Sequence, residues 1–200
     1  MNKIQKSIVE IDDSAFIFDN VTFIGKCKVG ANSTIYPNSI IIDSEIGENC
    51  VVFCSVIENS NINSGSAIGP FAHIRPNSVI GANCKIGNFV EIKNSNINDE
   101  TKISHLAYVG DALVGKRCNI GCGVIFVNYN GKIKQRIVVE DDCFVGSNCN
   151  LIAPLTLARN SYICAGTTVT DSTNPFDFVI GRERAIIKPG RAKKYWREDD

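Results

Sequence analysis

Two hundred residues suit one domain with a sizeable core, and 21 basic residues against 21 acidic ones leave a formal net charge of +0. A neutral chain has no broad basic field for nucleic acid or an anionic membrane, so any anion must be held by a local cluster.

The apolar residues of the opening stretch, MNKIQKSIVEIDDS, are broken by Lys, Gln, Glu and Asp. It lacks the continuous apolar segment and small-residue cleavage site of a signal peptide, and no later run approaches the length of a membrane span. A cytoplasmic protein with an N-terminal segment over 1–15 is expected. From there the chain is organised by a period of six. Val29, Ile35 and Ile46 begin it, the register between about 50 and 61 is obscure, and the series then runs through Ile62, Ile68, Ile74, Ile80, Ile86 and Ile92. It resumes one residue early at Ile97, Ile103 and Val109, again at Val114, Ile120 and Phe126, and finally at Val139, Val145, Leu151, Leu157, Ile163 and Val169. Glycine follows the aliphatic residue at 30, 47, 69, 81, 87, 110, 115, 121 and 146, and a small or apolar residue stands two places before it, as at Ser66, Ala72, Ser78 and Val90.

Six fits neither a helix nor plain strand alternation. It means a short strand followed by a tight corner, with the aliphatic and the small residue inside and glycine easing the corner through positive φ or close backbone approach. Three sides close a triangular coil of about 18 residues, and stacked coils form a parallel β-helix with a continuous apolar core. Nine cysteines, an odd number without any CxxC pair, suggest neither a disulfide framework nor a zinc site. Cys27, Cys50, Cys84, Cys118, Cys143 and Cys149 stand two before an aliphatic, where a small hydrophobe is wanted. The period spans 16–173. It is interrupted between Phe126 and Val139, 13 residues apart, where NYNGK marks a protruding loop over 127–138. A tail over 174–200 carries Arg182, Arg184, Lys188, Arg191, Lys193, Lys194 and the single Trp196, fit to cap the solenoid or pack on a neighbour.

Residues one coil apart share a face and lie about 4.8 Å from each other. Arg75 and Lys93 are 18 apart, each directly after an aliphatic. Stacked there, they either share an anion such as phosphate or are two solvated surface cations. His105, second after Ile103, shares its column with Asn88 and Cys122, and Tyr108 and Asp111 keep its region polar. It is either a base for an amine nucleophile or a hydrogen-bonded surface histidine; His73 has no comparable company. Ser147 and Ala165, 18 apart, occupy equivalent corners and leave a shallow groove in which a pantetheine arm would fit.

The strings GPFAHIRPNSVIG, GNFVEIKNS, SHLAYVGDALVG, NIGCGVIFVNYNGKIK, DDCFVGSNCNLIAPLTL and AGTTVT resemble, in order from about residue 20 to the end, one family. It is the acetyltransferase half of the bacterial bifunctional N-acetylglucosamine-1-phosphate uridyltransferase / glucosamine-1-phosphate N-acetyltransferase. The resemblance implies an all-β, left-handed parallel β-helix, a homotrimer with active sites between subunits, acetyl-CoA as co-substrate and no catalytic metal. It implies His105 as general base, Arg75, Lys93 and Lys134 on the sugar phosphate, and Tyr108 and Asn119 beside the sugar. Asn128, Tyr129, Ser147, Ala165, Arg182 and the backbone at Cys122 would contact the coenzyme. Two positions depart from the family pattern: Ser104 replaces a glycine before the histidine, and Cys122 a small alanine-like residue. The family's nucleotide-binding GxGTRM-type loop is missing, so no uridyl transfer is expected. A different amino sugar or nucleotide-linked amino sugar, and a non-catalytic trimeric scaffold, are the rival readings. A metal-dependent hydratase with three histidine ligands is rejected, because the chain has 2 histidines.

Overall fold

The computed structural model describes residues 7–195, which excludes Trp196. The chain winds as a left-handed solenoid of about 10 turns, against the usual right-handed preference of parallel crossovers. Three parallel sheets of nine, ten and nine strands form its sides. The first strand, Ile8–Ile11, already pairs with Lys26–Val29, inside the stretch assigned to an N-terminal segment. The last, Phe178–Val179, pairs with Tyr162–Ile163, and beyond it a short 3-10 helix covers Arg191–Tyr195. No helix among the described residues is long and apolar enough to cross a membrane.

Each sheet sends one aliphatic column inward. In the first, Ile46, Ile62, Ile80, Ile97, Val114 and Val139 are register neighbours and almost completely buried. The obscure register near residue 55 resolves here: Val52 and Ile57 are both 0% exposed, and the series runs from Val52 through Ile57 to Ile62 at steps of five. Two short sides in succession shorten that coil, which hides its period.

The corners sharpen what was expected of glycine. Left-handed backbone is supplied mostly by Asn and Asp, such as Asn32, Asn77, Asn83, Asp111 and Asn148, whose short polar side chains tolerate that region. The glycine after the aliphatic serves close approach, with positive φ as well at Gly69. A Cβ on Gly121 would lie 2.7 Å from the Gly146 carbonyl carbon in the next coil. Inside one corner, Ser33, Cys50, Ser66, Cys84, Thr101, Cys118, Cys143 and Ser161 succeed each other, all buried. Ser66 Oγ donates to the Gly81 carbonyl at 2.7 Å and accepts the Cys84 N–H at 2.9 Å. Cys118 Sγ donates to the Glu140 carbonyl at 3.0 Å. Seven of the nine cysteines are buried, as core filler, Cys54 and Cys122 are half-buried, and all nine are free thiols.

Candidate active site

His105 ends the strand Lys102–His105 and pairs in register with Asn88 of the strand below. Its Nδ1 lies 2.8 Å from Asn88 Oδ1. An amide oxygen only accepts, so in the neutral ring this contact sets the proton on Nδ1 and leaves Nε2 as the acceptor. The ring is exposed. Ile103 pairs with Ile120, Ile120 with Val145 and Val145 with Ile163. Two residues beyond each lie His105, Cys122, Ser147 and Ala165, which therefore stack along one edge. Three strand spacings put Ala165 roughly 14 Å above His105. At the top, Arg182 Nη1 donates to the Ala165 carbonyl at 3.1 Å. Sequence spacing had linked these residues only in pairs, because the loop insertion breaks the count between Cys122 and Ser147.

The third sheet follows around the corner after Leu106. Tyr108 pairs there with Glu91, and its phenol lies across Gly110, where a Cβ would come 2.7 Å from Tyr108 Cζ. At the far corner, Arg75, Lys93 and Lys134 line one cleft of about 400 Å³ with Asn77, Asn94 and Asp111. Arg75 Nη1 donates to Glu91 Oε1 at 2.6 Å. The neighbouring Lys134 ammonium, and then burial, hold Lys93 below the usual lysine range. Asp111, 8% exposed, is pushed up by burial, yet ends below the usual carboxylate value. Its Asn94 and Asn128 amide donors, with Lys93 and Lys134 nearby, outweigh the burial.

Lys134 reaches this cleft because the inserted segment folds back on itself. Tyr129 and Lys134 form an antiparallel bridge, the Gln135 N–H donates to the Asn128 carbonyl at 2.8 Å, and Asn130 Oδ1 accepts the N–H groups of Lys132 and Ile133. Tyr129 is 53% exposed with its hydroxyl on the Gly131 carbonyl. Asn128 is buried, its amide spent on Asp111. Asn119 stands apart: it pairs with Lys102 and Phe144 on the second sheet and lines a separate cleft with Lys102 and Arg117. Residue spacing had overlooked Glu91 and Asn94 and left Asp111 a mere polar corner; nothing in a hexad count reveals which corner side chains turn toward a cleft. Cleft and edge flank the third sheet, one offering cations to an anion, the other the imidazole Nε2 at the foot of a column of small side chains.

Known proteins share this architecture. A family model described as the GMPPB C-terminal domain matches residues 56–127, and one described as the hexapeptide repeat of succinyl-transferase matches residues 136–171. The chain is 48% identical over 176 residues to the bifunctional protein GlmU of Clostridium beijerinckii, covering 88% of this chain and 39% of that protein. With the bifunctional protein GlmU of Clostridioides difficile it shares 45% identity over 195 residues, covering 98% and 42%. It thus spans about two fifths of the length of these relatives. Among solved structures, the UDP-N-acetylglucosamine acyltransferase from Campylobacter jejuni matches with a TM-score of 0.58 at 15% identity, over 84% of this chain and 69% of that one. LpxA, a UDP-N-acetylglucosamine acyltransferase from Bacteroides fragilis, matches with 0.52 at 17%, over 82% and 68%. At those identities the likeness is one of fold.

Proposed function

Because this chain belongs to the hexapeptide-repeat family of GlmU acetyltransferase domains, we propose that it moves an acetyl group from acetyl-CoA to the amino group of glucosamine 1-phosphate. The observation that carries this reading is the single edge of His105, Cys122, Ser147 and Ala165 beside a cleft of three cations. An extended pantetheine arm has the length of that edge, with its thioester at His105 and its far end near Arg182. The phosphate of the acceptor fits the cleft of Arg75, Lys93 and Lys134 as a charge-assisted anion, and Tyr108 lies between cleft and base.

The chemistry needs no covalent acyl-enzyme. The free amine attacks the thioester carbonyl, the C–N bond forms, and the C–S bond breaks as the tetrahedral intermediate collapses. His105 Nε2 takes the proton lost by the amine and returns it to the departing thiolate. Asn88 Oδ1 holds the Nδ1 proton throughout, which leaves Nε2 to receive the proton of the amine. The rest of the acceleration comes from holding both substrates in one orientation.

A homotrimer completes the site in this reading. Phe71, Phe89 and Leu106 form an apolar ridge beside the edge, 56%, 54% and 57% exposed, each bulky yet in left-handed backbone at φ 58, 58 and 44. That conformation costs free energy for such side chains, and so does their hydration; a neighbouring copy laid on the ridge offsets both. The same copy would bring an Asn119 to the sugar, which no single chain does. The test is thiol release from acetyl-CoA with glucosamine 1-phosphate, comparing the intact chain with His105→Ala. The expected result is release that falls about a hundredfold or more in the variant. No release with coenzyme still bound would move the acceptor to another amino sugar or nucleotide-linked amino sugar; loss of both would leave a scaffold.

A further inference from the structure

Asp111 has no part in binding or proton transfer as described so far, yet among the described residues it is the one charged side chain buried in the solenoid. It also lines a cleft built for an anion. A carboxylate there repels the ligand, so its benefit must lie elsewhere. Its contacts say where. The Asp111 N–H donates to the Lys93 carbonyl at 3.0 Å, and its carbonyl accepts the Ile137 N–H at 3.4 Å. The carboxylate accepts Asn94 Nδ2 from the coil below at 2.6 Å and Asn128 Nδ2 from the coil above.

Asn128 is where the chain leaves the solenoid and Ile137 is where it returns. Both ends of the inserted loop are therefore fastened to this one residue, and the coil that carries Lys93 is fastened to it as well. Lys93 and Lys134 line one cleft, and Asp111 is the only anionic side chain among its lining residues. Two ammonium groups brought together without a counter-charge would separate, carrying the loop with them.

We propose that Asp111 is a positioning residue: it closes the base of the 128–136 loop and holds Lys134 beside Lys93, so that the two lysines and Arg75 converge on the acceptor's phosphate. The proposal rests on the acetyltransferase reading for its kinetic consequence, but not for its structural one. Asp111→Asn keeps the shape and removes the charge, and Asn128→Ala cuts the same link from the loop side.

Amide hydrogen exchange followed by mass spectrometry reads the loop without catalysis. Exchange at Gln135 and Ile137 should quicken about tenfold to a hundredfold in Asp111→Asn, the effect of losing a charged buried hydrogen bond, while strands remote from the loop keep their wild-type rates. In steady-state assays the KM for glucosamine 1-phosphate should rise about tenfold, with a smaller change in kcat. The double variant should be no worse than Asp111→Asn alone, because both cut one link. Wild-type exchange at the loop, a uniform quickening over the whole solenoid, or additive effects of the two substitutions would overturn the proposal. If the unmodified chain released no thiol at all, the acetyltransferase reading would fail while the exchange comparison still decided the role of Asp111.

Discussion

At His105 the deciding contact is the Asn88 amide oxygen, 2.8 Å from Nδ1. An exposed imidazole with a free choice of tautomer divides its proton between two nitrogens; one with an acceptor at Nδ1 offers Nε2 alone. Asn88→Ala should therefore lower kcat about tenfold while leaving the KM for the sugar phosphate near its wild-type value. The melting temperature should hold, since the contact is at the surface. An unchanged kcat would mean that the ring needs no such orientation. The carboxylate of Glu91 acts in the opposite sense to a ligand, occupying Arg75 at 2.6 Å, so a phosphate bound as proposed would share or displace it. Neither contact is legible from residue spacing. Spacing placed Asn88 and His105 in one column, and Arg75 above Lys93, but not which atoms meet.

The elements differ in what a small change does to them. Gly87 and Gly110 both follow an aliphatic residue, and a repeat count treats them alike. A Cβ on Gly87 would meet the Ser104 backbone, 2.7 Å from its carbonyl carbon. One on Gly110 would meet the end of the Tyr108 side chain and, at 2.9 Å, the Asn128 amide nitrogen. Backbone in the next coil cannot give way without breaking the strand spacing, whereas a phenol ring can turn aside. Gly87→Ala should cost about 2 kcal/mol of stability, read as a lower melting temperature. Gly110→Ala should keep its melting temperature and raise the KM for glucosamine 1-phosphate about tenfold, by turning Tyr108 out of place. Equal behaviour of the two variants would sink this distinction. The inserted loop was visible as a break in the period; its return to the cleft through the Tyr129–Lys134 bridge was not.

For the whole molecule, the solenoid supplies rigidity along its axis and leaves its edges to be completed. Phe71 and Phe89 stack with ring centroids 5.6 Å apart and planes 12° from parallel, more than half exposed. In the proposed trimer a neighbouring copy covers them, and the same copy would bring Asn119 to the sugar. In sedimentation, the unmodified chain should run as three copies. Phe89→Glu should run as one, with circular dichroism unchanged and thiol release lost, because a charge in that contact is desolvated without a partner. A trimer that survives the substitution would place the interface elsewhere.

What the sequence by itself determined was the solenoid. A period of six with an inward aliphatic is a local rule repeated along the chain, and each coil obeys it against neighbours made to the same rule. The same rule located most of the cysteines and marked the loop by its failure. Tertiary structure alone decided how the site is assembled. Asn88 on His105, Glu91 on Arg75 and Asp111 on Asn94 and Asn128 are contacts between coils. They depend on coil lengths, which short sides and an insertion vary, and on the direction in which each corner side chain turns. Packing against the coils above and below sets that direction, and no periodicity records it.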